Sequence, residues 1–316
     1  MKNLCKVFGW VLVLACLAGC GVVPGGGNNN LTPTPPVPVF GDFVLNIAAF
    51  QGVSPEQGKA YVVPLHGIRL EEARAAVSDV AMTERYDGAS EAGEARIHFP
   101  GTFVLKLISE GAIVSQPFPA FSTIEIEYGD YEGFRFNLKR LAPAEIPGGL
   151  LEDLLVNTLL VHNSLVVEGS FWEADSHDVD GDGQVSWVPF RIVSDKQTGI
   201  RVSSPNYFAA LEGRVNYFFM AFDVSAWFDG LLPALCDLNP QDLTDGVALI
   251  EDKSQNKALG KILNNFEENV RSSVRSAPSE DGEFHVTDVD AESSSEAIPF
   301  FGTDDGDDDE SGTCCD

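Results

Sequence analysis

From Phe40 to Arg275 the chain repeats one pattern: a short run rich in Val, Ile, Phe and Tyr, then a cluster of Gly, Pro, Asp or Ser. The runs are Phe43–Phe50, Ala60–Val63, Phe103–Ile108, Thr123–Tyr128, Phe134–Leu138, Ser164–Trp172, Val185–Val193 and Arg214–Val224. Branched and aromatic side chains suit a pleated, half-buried surface, and Gly, Pro and Asp interrupt it. Ile124-Glu-Ile-Glu-Tyr128 alternates apolar with acidic residues, the period of a strand with one face in water. Short strands with turn signals between them predict a mainly β fold, an antiparallel β-sandwich. The 30 glycines and 18 prolines, against 3 methionines, argue the same way, because a helical bundle tolerates few such breaks.

Residues 69–84 fit two readings. Glu71-Glu-Ala-Arg-Ala-Ala suits a helix, whereas Val77, Val80 and Met82 continue a strand. Two helices are predicted. Leu150, Leu151, Leu154 and Leu155 share one face of a helix over 149–157, and Leu259, Ile262, Leu263, Phe266 and Val270 follow the 3.6-residue period over Asp252–Val274. Asp252, with Gln255 three residues on, predicts a capping box at the start of that second helix.

The first nineteen residues have a different character. Lys2 and Lys6 precede the apolar stretch Val7–Ala18, which ends in Leu17-Ala18-Gly19-Cys20. A basic start, a short apolar run and small residues mark a secretory signal, too short for a comfortable membrane span. Leu-Ala-Gly-Cys resembles the lipobox of bacterial lipoproteins, and this resemblance implies cleavage before Cys20 and lipid attachment to its thiol. The membrane would then be a partner through acyl chains. Gly21 stands where that family's inner-membrane retention signal has aspartate, which implies the outer membrane of a Gram-negative cell. Residues 20–39 read as the lipidated cysteine and a Gly/Asn/Pro linker, and 40–276 as the sandwich.

Residues 277–316 read mostly as a solvated acidic tail, with 14 acids and no Lys or Arg after Ser279, and Phe284-His-Val286 as a segment that could dock on the body as a strand. Over the whole chain 20 Lys and Arg face 48 Asp and Glu, a net charge of −28. That excludes the basic footprint a nucleic-acid partner requires and favours divalent cations. Six cysteines are too few for a disulfide scaffold, and the residues leave the pairing of Cys236, Cys314 and Cys315 open.

The sharpest chemical signal is Asp178-Val-Asp180-Gly-Asp182-Gly-Gln184-Val-Ser186. Three carboxylates at alternate positions, a glycine for the reversal, a carbonyl at Gln184 and a hydroxyl at Ser186 suit the six to eight oxygens that Ca2+ takes. The pattern resembles the first nine positions of an EF-hand loop. It departs at the twelfth, where Pro189 replaces the bidentate glutamate, and Trp187-Val-Pro-Phe-Arg-Ile is strand-like. The expectation is therefore a calcium loop at the tip of a β-hairpin joining Ser164–Trp172 to Val185–Val193. Its missing ligand would come from Glu173, Asp175, water or an acid of another loop. No His-Glu-x-x-His, Cys-x-x-Cys, Gly-x-Ser-x-Gly or phosphate-cradling glycine loop is present.

Several segments together resemble a family of uncharacterised bacterial lipoproteins with a β-sandwich domain of unknown function. They are Phe99-Pro-Gly-Thr-Phe-Val-Leu-Lys-Leu107, Tyr128-Gly-Asp-Tyr-Glu-Gly-Phe-Arg-Phe136, Asn163-Ser-Leu-Val-Val-Glu-Gly169, Val188-Pro-Phe190, Phe222-Asp-Val-Ser-Ala-Trp-Phe-Asp-Gly230 and the closing amphipathic helix. The likeness implies a fold and an address, and it assigns no catalytic residue. The expected function is that of a calcium-stabilised envelope lipoprotein with a non-enzymatic binding or structural role, its protein or glycan partner left open. The alternative is a secreted hydrolase, acting on glycans through carboxylates that no motif marks. Phe218, Phe219, Phe222, Trp227 and Phe228 read first as core and second as a carbohydrate platform.

Overall fold

Phe43, Leu45, Ile47 and Ala49 lie in the main core, while Ala48 and Phe50 between them join a separate cluster on the other side of the same strand. That two-residue alternation turns the sequence pattern into layers. The computed structural model describes residues 40–51, 67–84, 95–117, 124–127, 130–143, 159–173, 178–209, 211, 214–252 and 256–301. The signal, Cys20, the linker, the run Ala60–Val63, the helix read over 149–157, Asp175, Cys314 and Cys315 lie outside the described residues.

Two sheets form the sandwich. The smaller contains β1 (Phe40–Phe50), β5 (Ser115–Pro117), β6 (Ile124–Glu127), β11 (Val215–Asp223) and β13 (Val274–Ser279). The larger has β2 (Ile68–Glu84), β3 (Ala95–Ser109), β4 (Ala112–Ile113), β7 (Asp130–Leu138), β8 (Leu165–Trp172), β9 (Trp187–Ser194), β10 (Thr198–Ala209), β12 (Ala248–Glu251) and β14 (Ser294–Ile298). Its main path runs β12-β9-β8-β2-β7-β10-β14. Most pairs are antiparallel, but β1 runs parallel to β11 and β12 parallel to β9. The sheets meet through aromatic rings, with Phe134 edge-on to Phe218 at 5.6 Å and Phe136 edge-on to Phe222 at 6.1 Å. Phe218, Phe219, Phe222, Trp227 and Phe228 are all buried, so they are core. The mainly β sandwich read from the sequence is thus observed.

Residues 69–84 are strand. As β2 they border β3, β7 and β8, and apolar residues sit on both faces: Ala75 and Val77 in the main core, Ala76 in a second cluster with Leu141, Leu160 and Val166. Burial on two sides overrides the helical preference of Glu71–Ala76.

The second helix is shorter than predicted. After α1 (Leu232–Cys236) comes α2 (Lys257–Ser272). Asn256 caps α2 by accepting the Ala258 N–H at 2.9 Å. Asp252 instead accepts the Asp195 N–H at 2.7 Å, so the predicted Asp252–Gln255 box does not start the helix. The apolar stripe of α2 is buried as expected. No helix among the described residues is long and apolar enough to cross a membrane.

The tail boundary at 277 is also corrected. Val274–Ser279 pairs antiparallel with β11, and Ser294–Ile298 pairs antiparallel with β10. Between them Phe284 packs on Phe50 and Phe219, at 6.0 and 5.4 Å between ring centres. Acid content misled because strands dock through backbone hydrogen bonds. Small side chains, Ser276, Ala277 and Ser279, are buried here, and the Asp290 carboxylate accepts from Ser204 and Asn206 of the body.

Candidate metal centre

The hairpin β8–β9 pairs Leu165 with Ser194 through Trp172 with Trp187, and Glu173 and residues 178–186 are the described part of its tip. At the neck the Trp172 and Trp187 rings meet edge to face at 5.3 Å, and the Arg69 guanidinium lies 3.7 Å above Trp187. One residue beyond the strand the period of two turns the side chain inward. Trp172 is 41% exposed and Glu173 is 0% exposed.

Glu173 organises the tip. Its Oε1 accepts the N–H of Val179 at 2.6 Å and of Asp180 at 3.1 Å, and its Oε2 accepts the N–H of Ser186 at 2.8 Å. Val179, fully buried in the main core, ties the loop to the body. Asp178 then accepts from Gly181 at 2.6 Å and from Gly183 at 2.8 Å, Asp180 from Asp182 at 3.1 Å, and Asp182 from Gln184 at 2.7 Å. Gly183 takes φ +79°, the left-handed conformation the reversal requires and glycine adopts without strain.

Of the sequence-read ligands, Asp178 and Asp180 come together, and Glu173 joins them. One carboxylate oxygen from each lies within 4.8 Å of the others. Two oxygens on one calcium ion lie at most about 5.2 Å apart, so the spacing fits. Ser186 sits beside this group, with its hydroxyl 3.4 Å from Asp180 Oδ2. Asp182 is outside the close group and exposed, engaged with the Gln184 backbone, and Gln184 is likewise exposed. Glu173 was one of several choices for the missing ligand, and its place next to β8 was the signal.

The electrostatics are those of crowded carboxylates. The Gly183 N–H, followed by that of Gly181, holds the Asp178 carboxyl below its ordinary pKa against a smaller opposing effect of burial. At Asp180 the Asp182 N–H favours the charged form. Burial and the charges of Asp182, Glu173 and Asp178 outweigh it and raise the pKa.

A second polar group lines a concavity of about 640 Å³ with Phe208, Leu211, Arg214 and Val215. There Asp281 Oδ2 lies 3.0 Å from His285 Nε2, and Ser279 Oγ lies 3.0 Å from Asp281 Oδ1. The carboxylate stands between hydroxyl and imidazole. A serine nucleophile needs the imidazole in the middle, so this trio cannot activate Ser279. Comparison with family models, with curated proteins and with solved structures finds no match.

Proposed function

We propose that this chain is a lipid-anchored bacterial envelope protein with a calcium-stabilised sandwich and a non-enzymatic binding or structural role. The observation that carries the calcium reading is the convergence of Glu173, Asp178 and Asp180 at one hairpin tip. Asp182, the Gln184 carbonyl and Ser186 are the further oxygens the loop offers. Calcium supplies positive charge that relieves the repulsion already felt at Asp180. Leu17–Cys20 supports the anchor, and the likeness to uncharacterised lipoproteins supports the address.

Calcium titration of the protein, with magnesium as control, tests the metal. Extracellular calcium modules bind with a dissociation constant of about 0.1–1 mM. At about 1 mM calcium and 0.1 mM affinity, mass action adds about 1.4 kcal/mol to the folded state, roughly 3–6 °C in Tm. Asp180→Asn should remove most of that rise and leave the metal-free Tm no lower, because its charge is already disfavoured there. Equal behaviour of wild type and variant in calcium and in EDTA defeats the reading. Cys20→Ser should release the protein from the membrane fraction, and full retention defeats the anchor.

A further inference from the structure

Phe134, Phe136, Met82, Ile200 and Val202 point into the main core, so their strand neighbours Thr83, Arg135 and Arg201 face the other side of the larger sheet. Register sets Ala81 opposite Arg135, Arg135 opposite Arg201, and Arg201 opposite Glu296; Thr83 faces Gly133, two residues before Arg135. Three donors in this patch are buried without a hydrogen-bond partner: Thr83 Oγ1, Arg135 Nε and Arg201 Nε. Thr83 itself is fully buried. Phe301 lies under the Arg135 guanidinium at 4.6 Å, and Asn137 Oδ1 fixes the Phe301 backbone by accepting its N–H at 3.2 Å. A guanidinium stacked on a ring keeps its N–H edge free for in-plane bonding.

The register places these side chains together, but it gives no reason for two of them to be arginine. Like charges directly opposite on neighbouring strands oppose pairing, and a buried unpaired donor costs stability. Burial, and then the charge of Arg201, lowers the Arg135 pKa. Some basic side chains elsewhere meet acids: Arg191 with Glu168 at 2.5 Å, Lys196 with Glu267 at 3.0 Å, Arg140 with Asp195 at 3.2 Å. Among the described residues Arg135 and Arg201 join no ion pair, although they stand opposite one another and Glu296 stands opposite Arg201 on the next strand.

We propose that Arg135 and Arg201, with Thr83 diagonal to Arg135 on the adjoining strand, form an oxyanion site that takes a carboxylate or phosphate group. Two guanidinium edges supply donors only, and a hydroxyl can donate as well as accept, so the group suits an acceptor-only ligand. Both arginines are half-buried, but their Nε atoms are out of contact with water, where charge-assisted bonds are stronger than at an exposed surface. The oxyanion has two sources: an external ligand, or the chain's own carboxylates at Asp304–Glu310, which begin three residues after Phe301.

The test is thermal melting and calorimetry with inorganic phosphate at constant ionic strength, chloride as control. It uses the full chain, a chain ending at Gly302, and Arg201→Gln, Arg135→Gln and Thr83→Val in both lengths. An external ligand site makes the full chain respond to phosphate, and each variant should bind about tenfold or more weakly. If the chain's own carboxylates fill the site, only the shortened chain responds, with the same dependence on all three residues. Arg201→Lys keeps the charge and loses the fork, so it should also weaken binding should Arg201→Gln fail to fold. Phosphate that acts on neither length, or acts equally on wild type and every variant, overturns the proposal.

Discussion

Glu173→Gln separates the protein's own organisation of the loop from anything an ion adds. The wild-type carboxylate accepts three backbone N–H groups, two at Oε1 and one at Oε2, from a position 0% exposed. The amide keeps shape and volume. Its oxygen can still take Val179 and Asp180, but its NH2 then faces the Ser186 N–H, donor against donor. One bond to a charged acceptor is worth about 1.5–3 kcal/mol, and charge-assisted bonds are about twice as strong as neutral ones. Losing one and weakening two puts the cost at about 3 kcal/mol. For a domain of this size that is roughly 6–12 °C in Tm. The assay is thermal and urea unfolding in EDTA, so that no ion contributes. The urea m-value should stay unchanged, because the surface exposed on unfolding is the same. Calcium added afterwards should stabilise the variant less than wild type, since a ligand charge is gone. A variant within about 1 kcal/mol of wild type in EDTA would refute the view that Glu173 holds the tip.

Two further outcomes follow from close contacts elsewhere. Gly169→Ala would place its Cβ 2.1 Å from the Arg69 carbonyl oxygen and 2.9 Å from the Phe190 ring. It should therefore part β2 from β8 and cost about 3 kcal/mol or more by chemical denaturation. A loss under about 0.5 kcal/mol would contradict that contact. Asp281 raises the pKa of His285, while the Glu283 N–H, then His285 and Ser279, lower that of Asp281 to about 2. The histidine's share of stability is full below its unfolded value of about 6.5 and is lost as pH rises through its folded pKa. The aspartate's share is present above its unfolded value of about 3.9 and is lost as pH falls toward about 2. By NMR, Asp281→Asn should shift the His285 titration downward, and an unmoved titration would contradict the pair.

What the sequence shows depends on how far apart in the chain the cooperating atoms lie. The hairpin tip was legible because Asp178, Asp180, Gly183 and Ser186 sit within nine residues, and their spacing is itself the chemistry. Glu173 was half legible. It lies next to the loop, but its role depends on the two-residue period of β8 turning it inward while Trp172 turns out. The strands with strong Val, Ile and Phe content were legible for the same local reason. β13 and β14 were not, because Val274–Ser279 and Ser294–Ile298 are polar and join the sheets through backbone bonds to β11 and β10. β2 was ambiguous because alanine records only a lack of bulk, which serves a helix and a strand buried on both faces equally well.

The arginine patch lies at the far end of this scale. Thr83, Arg135 and Arg201 come from three strands, and nothing near any one of them in sequence marks it. Only the register of β2 on β7 and β7 on β10 makes them neighbours. Register is fixed by which residues must be buried, here Met82, Phe134 and Val202, so the polar outer face inherits its geometry from the core. A slip of one residue would bury Arg135 and Arg201 among phenylalanines. The cost of that slip is what holds the two charges side by side, and it is independent of any anion. The site is thus built whether or not it is filled, as a binding site must be.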